Sequence, residues 1–232
     1  MHWIRPLSFP PACTGQAPFR TRRGFTLVEL LAVMGVLALL AGLVVPAFVG
    51  TSKSRELGLA ATRISNLMAA ARTEAITHNT VARLVIAENW PGDADANFRK
   101  MSVWRNDAAT GAGWKQVSQW EKLPAAIAIE PAKPTYPSNA DHPNYLMEGT
   151  QNTFTTTVAG QSVSLRYLEF LPSGAAKSPN GTNTGPETCV MLAPGQLSGN
   201  AIVYHGTENG APRNWAKLSA NTLTGRVKIT QP

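Results

Sequence analysis

The hydrophobic pattern of the chain begins with a long run of uncharged, mostly apolar residues near the amino terminus. Residues 30–52 contain no Asp, Glu, Lys or Arg, a run of 23 positions. A helix of this length rises about 34 Å, enough to cross the ~30 Å hydrocarbon core of a bilayer. The run is also longer than the apolar core of a secretory signal peptide. The pattern therefore predicts a transmembrane helix over residues 25–50.

Beyond this run, apolar positions recur every three or four residues, which is the period of an amphipathic helix. The charged residues between positions 53 and 74 lie mostly off this stripe. We expect one helix from Phe25 to about Thr77, whose amphipathic second half, residues 51–79, packs on a globular domain. His78 and Asn79 are expected to end it. The stripe consists of Leu57, Ala60, Ile64, Leu67, Ala71 and Ala75.

From Thr80 onward the pattern changes to short segments, several of which alternate with period two, as in SVSLRYLEFL. Tracts rich in Pro, Gly, Asn and Asp separate them, and the two longest loops, 131–149 and 172–187, are expected at the surface. The fold class predicted is α+β, a long N-terminal helix packed on an antiparallel β-rich domain over residues 80–232. The predicted strands are 81–87, 100–104, 114–118, 126–130, 153–158, 162–171, 188–192, 201–205 and 226–230.

Charge is concentrated at the amino terminus. The formal net charge is +7, from 21 basic and 14 acidic residues. The first 24 residues carry Arg5, Arg20, Arg22 and Arg23 and no acid, so without them 17 basic residues face 14 acidic ones, or +3. Basic residues beside a membrane span favour the cytoplasmic side. The overall charge is therefore weak evidence for a nucleic-acid partner.

Glu29 lies at the start of the apolar segment, where a simple anchor does not explain it. A carboxylate within a membrane segment costs on the order of 3 kcal/mol, so it needs a partner or a role. One explanation is an interfacial position near the helix start, within reach of water and the helix dipole. The other is a function that requires the charge.

The neighbours of Glu29 favour the second explanation. Arg22-Arg23-Gly24 followed by Phe25-Thr26-Leu27-Val28-Glu29 resembles the class III signal of type IV pilins and of type II secretion pseudopilins. The resemblance implies a leader, residues 1–24, that a prepilin peptidase removes by cutting after Gly24, and methylation of the new terminus at Phe25. It also implies that Glu29 pairs with the terminal amine of a neighbouring subunit, because a buried charge that gains by pairing sets register. Pro46, which tends to kink a helix, falls where many members of the family have a proline. The resemblance implies an assembly role, in which it loosens the helix for packing in the filament, and a proline merely tolerated in a membrane helix is the alternative.

Three further strings narrow the resemblance to minor pseudopilins of the GspH/FimT type. They are AARTEAITHN at the predicted helix end, YLEFLPSG, and LTGRVKI near the carboxy terminus. The resemblance implies a single-pass inner-membrane protein with a cytoplasmic amino terminus and a periplasmic β domain. The implied partners are the prepilin peptidase, other pilin or pseudopilin subunits and an inner-membrane assembly platform. The fibre is a type II secretion pseudopilus or a type IV pilus.

No motif for catalysis or for a cofactor is present. His2, His78, His142 and His205 do not have the spacing of a zinc site, and no nucleophile elbow, P-loop or dinucleotide fingerprint occurs. We therefore expect neither an enzyme nor a cofactor. Of the two cysteines, Cys13 falls in the leader, so Cys189 would have no intramolecular partner and is expected to be a buried strand residue.

Asp93, Asp95 and Asn97 supply the first three alternating oxygen ligands of an EF-hand loop. The sixth position of such a loop should be Gly and is Phe98, and the twelfth should be Glu and is Trp104. The motif therefore fails where its geometry is strictest. We predict a solvated turn and no metal site, with calcium as the alternative.

A DNA-uptake pilin is the alternative function. Certain FimT-type pilins take up DNA with a Gly-Arg-x-Arg string, and here Arg226 is followed by Lys228, which keeps the charge and loses the bidentate fork. Arg213 and Lys217 could extend the patch toward phosphates. The other interpretation is a final edge strand with solvent-facing charges. Exposed tryptophans would favour DNA binding, but core packing or subunit contact is expected for the five that are available: Trp90, Trp104, Trp114, Trp120 and Trp215.

Overall fold

A helix, α1, runs from Leu27 to Thr77 in the computed structural model. The structure describes residues 25–107, 113–138, 144–149, 152–177, 185–199 and 201–232, without the side chains of residues 41–52. The chain divides into two units, Met1–Pro46 and Ala47–Pro232, and each is described by itself below.

Helix α1 ends in a Schellman motif. Asn79 adopts a left-handed φ of 48°, and its N–H lies 3.2 Å from the carbonyl oxygen of Ile76. The N–H of Thr80 donates to the carbonyl oxygen of Ala75 at 3.1 Å. Asparagine tolerates this backbone conformation, and the two bonds satisfy carbonyls that the helix leaves free. The predicted stop at His78 and Asn79 is confirmed.

The described residues after the helix form fourteen strands and one turn of 3-10 helix at Ala94–Ala96. All strand pairs are antiparallel. The α+β prediction is confirmed. The strands are β1 Ala82–Asn89, β2 Lys100–Asn106, β3 Trp114–Gln116, β4 Glu121–Lys122, β5 Ile127–Ile129, β6 Thr153–Val158, β7 Gln161–Phe170, β8 Ala176–Lys177, β9 Glu187–Ser198, β10 Ala201–Tyr204, β11 Thr207–Glu208, β12 Ala211–Pro212, β13 Ala216–Asn221 and β14 Val227–Thr230.

The strands form two main sheets. In the first, the order is β3-β2-β1-β7-β6, with β4 paired to β2 and β8 paired to β7. In the second, the order is β10-β9-β13-β14, with β5 also paired to β9. A small ribbon of β11 and β12 completes the described part of the domain.

The main core lies between the second half of α1 and the two sheets. All six residues of the predicted stripe are buried, from Leu57 to Ala75, as the helical period requires. They join one cluster with alternate residues of the first sheet, such as Leu84 and Ile86, and with residues of the second, such as Leu192. Removing these side chains from water is the main force that holds the helix on the sheets.

The opposite face of the first sheet carries a separate aromatic cluster. Val85 and Ala87, which alternate with the core residues of β1, pack there with Trp104. Trp90, Trp114 and Trp120 are partly buried against this cluster. The expectation of core packing is thus confirmed for these four tryptophans. Trp215 is partly buried against the main core.

Several sequence expectations need correction. The short strands β4, β8, β11 and β12 were not predicted, and β8 lies in the loop over residues 172–187, where Ala176 is buried. Strand β13 was not predicted, because AKLSAN has small residues and no clean alternation; it nevertheless lies between β9 and β14. The loop over residues 131–149 is not entirely at the surface, since Tyr145, Leu146 and Met147 are buried. Tyr145 forms a parallel bridge with Cys189, which gives this loop backbone partners inside the domain.

Cys189 is buried in β9, as predicted. Burial raises the pKa of its thiol to about 12. A thiol held neutral in this way is a poor nucleophile. Cys189 is therefore part of the packing of the core.

Candidate assembly and processing site

The amino-terminal end of α1 is a capping box built by Thr26 and Glu29. The backbone N–H of Glu29 donates to Thr26 Oγ1 at 3.2 Å, and the backbone N–H of Thr26 donates to Glu29 Oε2 at 3.4 Å. The Thr26 hydroxyl lies 3.5 Å from the same carboxylate oxygen. Two N–H groups that a helix start leaves free are satisfied reciprocally. Glu29 is therefore directed back toward the helix start and Phe25.

Sequence reasoning missed this role of Glu29. The signal was present, because Thr26-Leu27-Val28-Glu29 has the Thr-x-x-Glu spacing of a capping box directly before an apolar run. The carboxylate also lies in the first turn, where the helix dipole favours a negative charge. These local contacts support an interfacial position for Glu29. They do not test a function of its charge in assembly.

The first described part of α1 exposes an apolar surface. Residues 25–40 are all exposed, and Phe25 retains 80% of its accessible surface. Large apolar side chains of this number need lipid or other protein to cover them, because soluble monomers rarely expose patches larger than a few hundred Å². They include Leu27, Val28, Leu30, Leu31, Val33, Met34, Val36, Leu37, Leu39 and Leu40.

The other residues of the predicted signal are only partly described. Gly24 lies outside the described residues. The backbone of Pro46 is within α1, and its side chain is outside the described set. The cut after Gly24, methylation of Phe25 and the assembly roles of Glu29 and Pro46 remain predictions. Across the portion of the chain with described coordinates, no helix combines the length and apolarity that a membrane span requires.

A junction at Arg72 brings the three GspH/FimT-like strings together. Arg72 lies in AARTEAITHN, and its Nε donates to the carbonyl oxygen of Gly174, the last residue of YLEFLPSG, at 3.1 Å. The same Nε lies 2.9 Å from the carbonyl oxygen of Thr224, in LTGRVKI. The helix is thus tied to a turn of each sheet by one guanidinium group.

Glycine permits the close approach at this junction. Gly225 has a φ of +62°, and a Cβ atom there would lie 2.0 Å from the carbonyl oxygen of Gly174. Gly174 has a φ of +81°, and a Cβ there would lie 2.9 Å from Ile76 Cδ1. A side chain at either position would separate the two turns or displace Arg72. The glycine of the Gly-Arg-x-Lys string therefore has a packing role.

The residues proposed for DNA contact differ in exposure and in pairing. Arg226 and Lys228 are exposed beside and within β14, which is an edge strand of the described sheet. Lys217 is mostly buried and its Nζ lies 2.6 Å from Glu187 Oε1, so its charge is already paired. Arg213 lies 4.0 Å from Glu208. The extension of a phosphate-binding surface by Arg213 and Lys217 remains a prediction, and the pairing of Lys217 with Glu187 does not favour it.

The carboxylates of the EF-hand-like string form ion pairs with lysine and arginine side chains of the same chain. Lys122 Nζ lies 3.1 Å from Asp93 Oδ2 and 3.0 Å from Asp95 Oδ2, and Arg99 also pairs with Asp95. Asn97 Oδ1 accepts the backbone N–H of Trp90 at 2.6 Å. Although burial acts to raise the pKa of Asp95, the bond with Lys122 and the nearby charges lower it. The geometry fits a turn closed by ion pairs.

Comparison with known proteins identifies the amino-terminal segment. The profile of the prokaryotic N-terminal methylation motif matches residues 19–45. No curated protein matches the chain. Two solved structures of the minor pseudopilin EpsH from the type II secretion system of Vibrio cholerae are similar. One has 13% identity over 76% of this chain and 98% of its own, and the other 14% over 77% and 96%; both have a TM-score of 0.40.

None of these comparisons supports the DNA-binding alternative. The matched residues 19–45 contain the arginines, Gly24, Phe25 and Glu29 on which the prepilin prediction was based. The motif predicted from these residues is confirmed: the chain carries the prokaryotic N-terminal methylation motif over residues 19–45.

Proposed function

We propose that this protein is a non-enzymatic minor pilin or pseudopilin, a structural subunit of a type II secretion pseudopilus or a type IV pilus. In this proposal residues 1–24 are a cytoplasmic leader that a prepilin peptidase removes. Residues 25–50 anchor the subunit in the inner membrane and pack with sister helices in the fibre. The β-rich domain, residues 80–232, lies in the periplasm.

The match of the methylation motif to residues 19–45 is the observation that carries the proposal. Cutting after Gly24 would create a positive amino group on Phe25, close to Glu29 in the first turn of the helix. A carboxylate and an ammonium group that are both costly in lipid gain free energy by pairing. The apolar surface of residues 25–40 supplies the contact area for lipid and for neighbouring helices.

The packing of residues 57–75 supports different roles for the two parts of helix α1. That segment is buried against the sheets, whereas residues 25–40 are left exposed. In such a subunit the β domain faces outward, and the free helical segment binds other copies or other subunits. The assembly platform and the neighbouring subunits in the fibre are the partners of this segment.

The test is the identity of the amino terminus in cells that contain the peptidase. Mass spectrometry of protein extracted from membranes should give a chain that begins at N-methylated Phe25. Gly24→Leu should block the cut, because the peptidase must accommodate the residue before the bond. Gly15→Leu, a matched change within the leader, should leave processing intact.

Full processing of the Gly24→Leu protein would contradict the assigned cut site. An intact leader on the unmodified chain would contradict the proposed function as a whole. If the subunit is correctly processed but absent from purified fibres, the structural role is excluded and only the processing signal is supported.

A further inference from the structure

A cleft beside β5 and β10 contains a buried carboxylate and two tyrosine rings. It has a volume of about 280 Å³ and is lined by Glu130, Pro131, Lys133, Tyr136, Ile202 and Tyr204, among others. Its size is near the lower end of small-ligand sites, so it suits one side chain or a compact ligand.

A buried carboxylate forms one wall of the cleft. Glu130 retains only 5% of its accessible surface. Its carboxylate accepts a hydrogen bond from Tyr136 and a second from Tyr204. Its backbone is held as well, because its N–H donates to the carbonyl oxygen of Met191 at 2.9 Å and its carbonyl oxygen accepts from Tyr145 Oη at 2.7 Å. The group is therefore fixed in position before any ligand arrives.

Aromatic rings stand beside the carboxylate. The rings of Tyr136 and Tyr204 meet edge to face, with centroids 6.0 Å apart. Within the described residues, no cation lies within 4 Å of the Glu130 carboxylate. Lys133, which lines the same cleft, is instead paired with Glu148 at 3.6 Å. The cleft thus combines a negative charge and aromatic rings without a positive charge at its centre.

We propose that this cleft binds an alkylammonium group, such as the side chain of a lysine. An ammonium ion would offset the cost of keeping the Glu130 carboxylate buried. The faces of the tyrosine rings would attract the same cation. Burial raises the pKa of the Glu130 carboxyl, although its hydrogen bonds act in the opposite direction, and a bound cation would return it toward the ionised form.

The ligand's source is either a lysine on another polypeptide or a free amine. The chemistry that recognises the two is the same, so the experiment distinguishes them. Calorimetric titration of the full chain in detergent micelles at neutral pH would use a Gly-Gly-Lys-Gly-Gly peptide and n-butylamine. Tighter binding of the peptide indicates a polypeptide partner, and equal or tighter binding of butylamine indicates a free amine.

Four controls separate ammonium binding from non-specific contact. The same peptide with norleucine in place of lysine keeps the apolar stem and should not bind. Glu130→Gln preserves the shape of the carboxyl group and should weaken lysine-peptide binding at least about tenfold. Tyr204→Ala removes one ring at a partly exposed position and should weaken binding as well. Lys133→Ala should leave binding unchanged or strengthen it, because it removes a competing cation.

Several results would overturn the proposal. These are equal affinity for the norleucine peptide, unchanged affinity in Glu130→Gln, or no heat of binding by the unmodified protein up to about 10 mM of either ligand. Near-ultraviolet circular dichroism of each variant shows whether its aromatic packing is intact. If Glu130→Gln is misfolded, the norleucine comparison and Tyr204→Ala still decide the matter.

Discussion

Arg72 Nε lies 3.1 Å from the carbonyl oxygen of Gly174, 102 positions further along the chain. The same nitrogen lies 2.9 Å from the carbonyl oxygen of Thr224. A charged donor shared by two carbonyls is a stronger contact than a neutral hydrogen bond. The junction joins the amphipathic half of α1 to a turn of each sheet, so it is expected to stabilise the packing of all three.

Replacing Arg72 with Ala should destabilise the β-rich unit. Both carbonyl oxygens lose a charged donor, and we expect the free energy of unfolding to fall by about 1–3 kcal/mol. Denaturant titration of the full chain in detergent, followed by tryptophan fluorescence, measures this change. Arg55→Ala is the matched control, since Arg55 is an exposed arginine earlier on the same helix, and it should have little effect. Equal stability of the two variants would show that the Arg72 junction contributes nothing.

Replacing Gly225 with Ala should cost more than the loss of conformational freedom alone. Its φ of +62° disfavours any side chain, and the new methyl group would collide with the carbonyl oxygen of Gly174. Left-handed strain of about 1–2 kcal/mol adds to about 1–3 kcal/mol for overpacking. Gly210→Ala separates the two, because Gly210 has a φ of +81° and a methyl group added there would meet nothing within 4 Å. The midpoint temperature of thermal unfolding should be much lower for Gly225→Ala than for Gly210→Ala. The reverse order would refute the collision.

Glu130 should make stability depend on pH in an unusual direction. Burial raises the pKa of its carboxyl above the ordinary value of 4.5, so the folded state binds the proton more tightly than the unfolded state. The resulting stabilisation is fully present below that ordinary value and is lost as the pH rises through the raised folded pKa. Glu130→Gln cannot titrate and should lack this loss.

Glu187 provides a control of opposite sign. Although burial acts to raise its pKa, the hydrogen bond with Lys217 and other favourable contacts lower it. Its contribution is therefore present above the ordinary pKa and is lost as the pH falls through the lowered folded value. Denaturant unfolding over a pH series gives the free energy of unfolding as a function of pH. Glu130→Gln should flatten the upper part of this profile, and Glu187→Gln should flatten its acidic part. Identical profiles for Glu130→Gln and the unmodified chain would contradict the assignment.

Glu29 should have two separable roles. Gln can replace Glu in a capping box, so Glu29→Gln should preserve the helix start while removing the charge. Glu29→Ala should remove both, with a loss of helix stability of about 1 kcal/mol. If the charge acts in assembly, both variants should be inserted and processed but absent from fibres, as measured by immunoblotting of sheared fibres. Normal incorporation of Glu29→Gln would leave capping as the only role of this residue.

The local patterns in the sequence predicted most of the elements and the amino-terminal methylation motif. The stripe from Leu57 to Ala75 is buried because a helical period of 3.6 places its members on one face, whatever the partner. The stop at Asn79 was visible because asparagine tolerates a left-handed conformation. The methylation motif over residues 19–45 consists of residues adjacent in the chain, so no tertiary structure is needed to recognise it.

The tertiary structure alone decided what lies between distant segments. Strand β13 escaped prediction because its small residues show no clean alternation, and pairing with β9 and β14 makes it a strand. Tyr145 is buried for a similar reason, since its hydroxyl and backbone find partners on Glu130 and Cys189. The roles of Arg72, Gly174 and Gly225 depend on an approach between segments far apart in the chain. Such contacts are set by how the helix and two sheets pack, and periodicity carries no information about them.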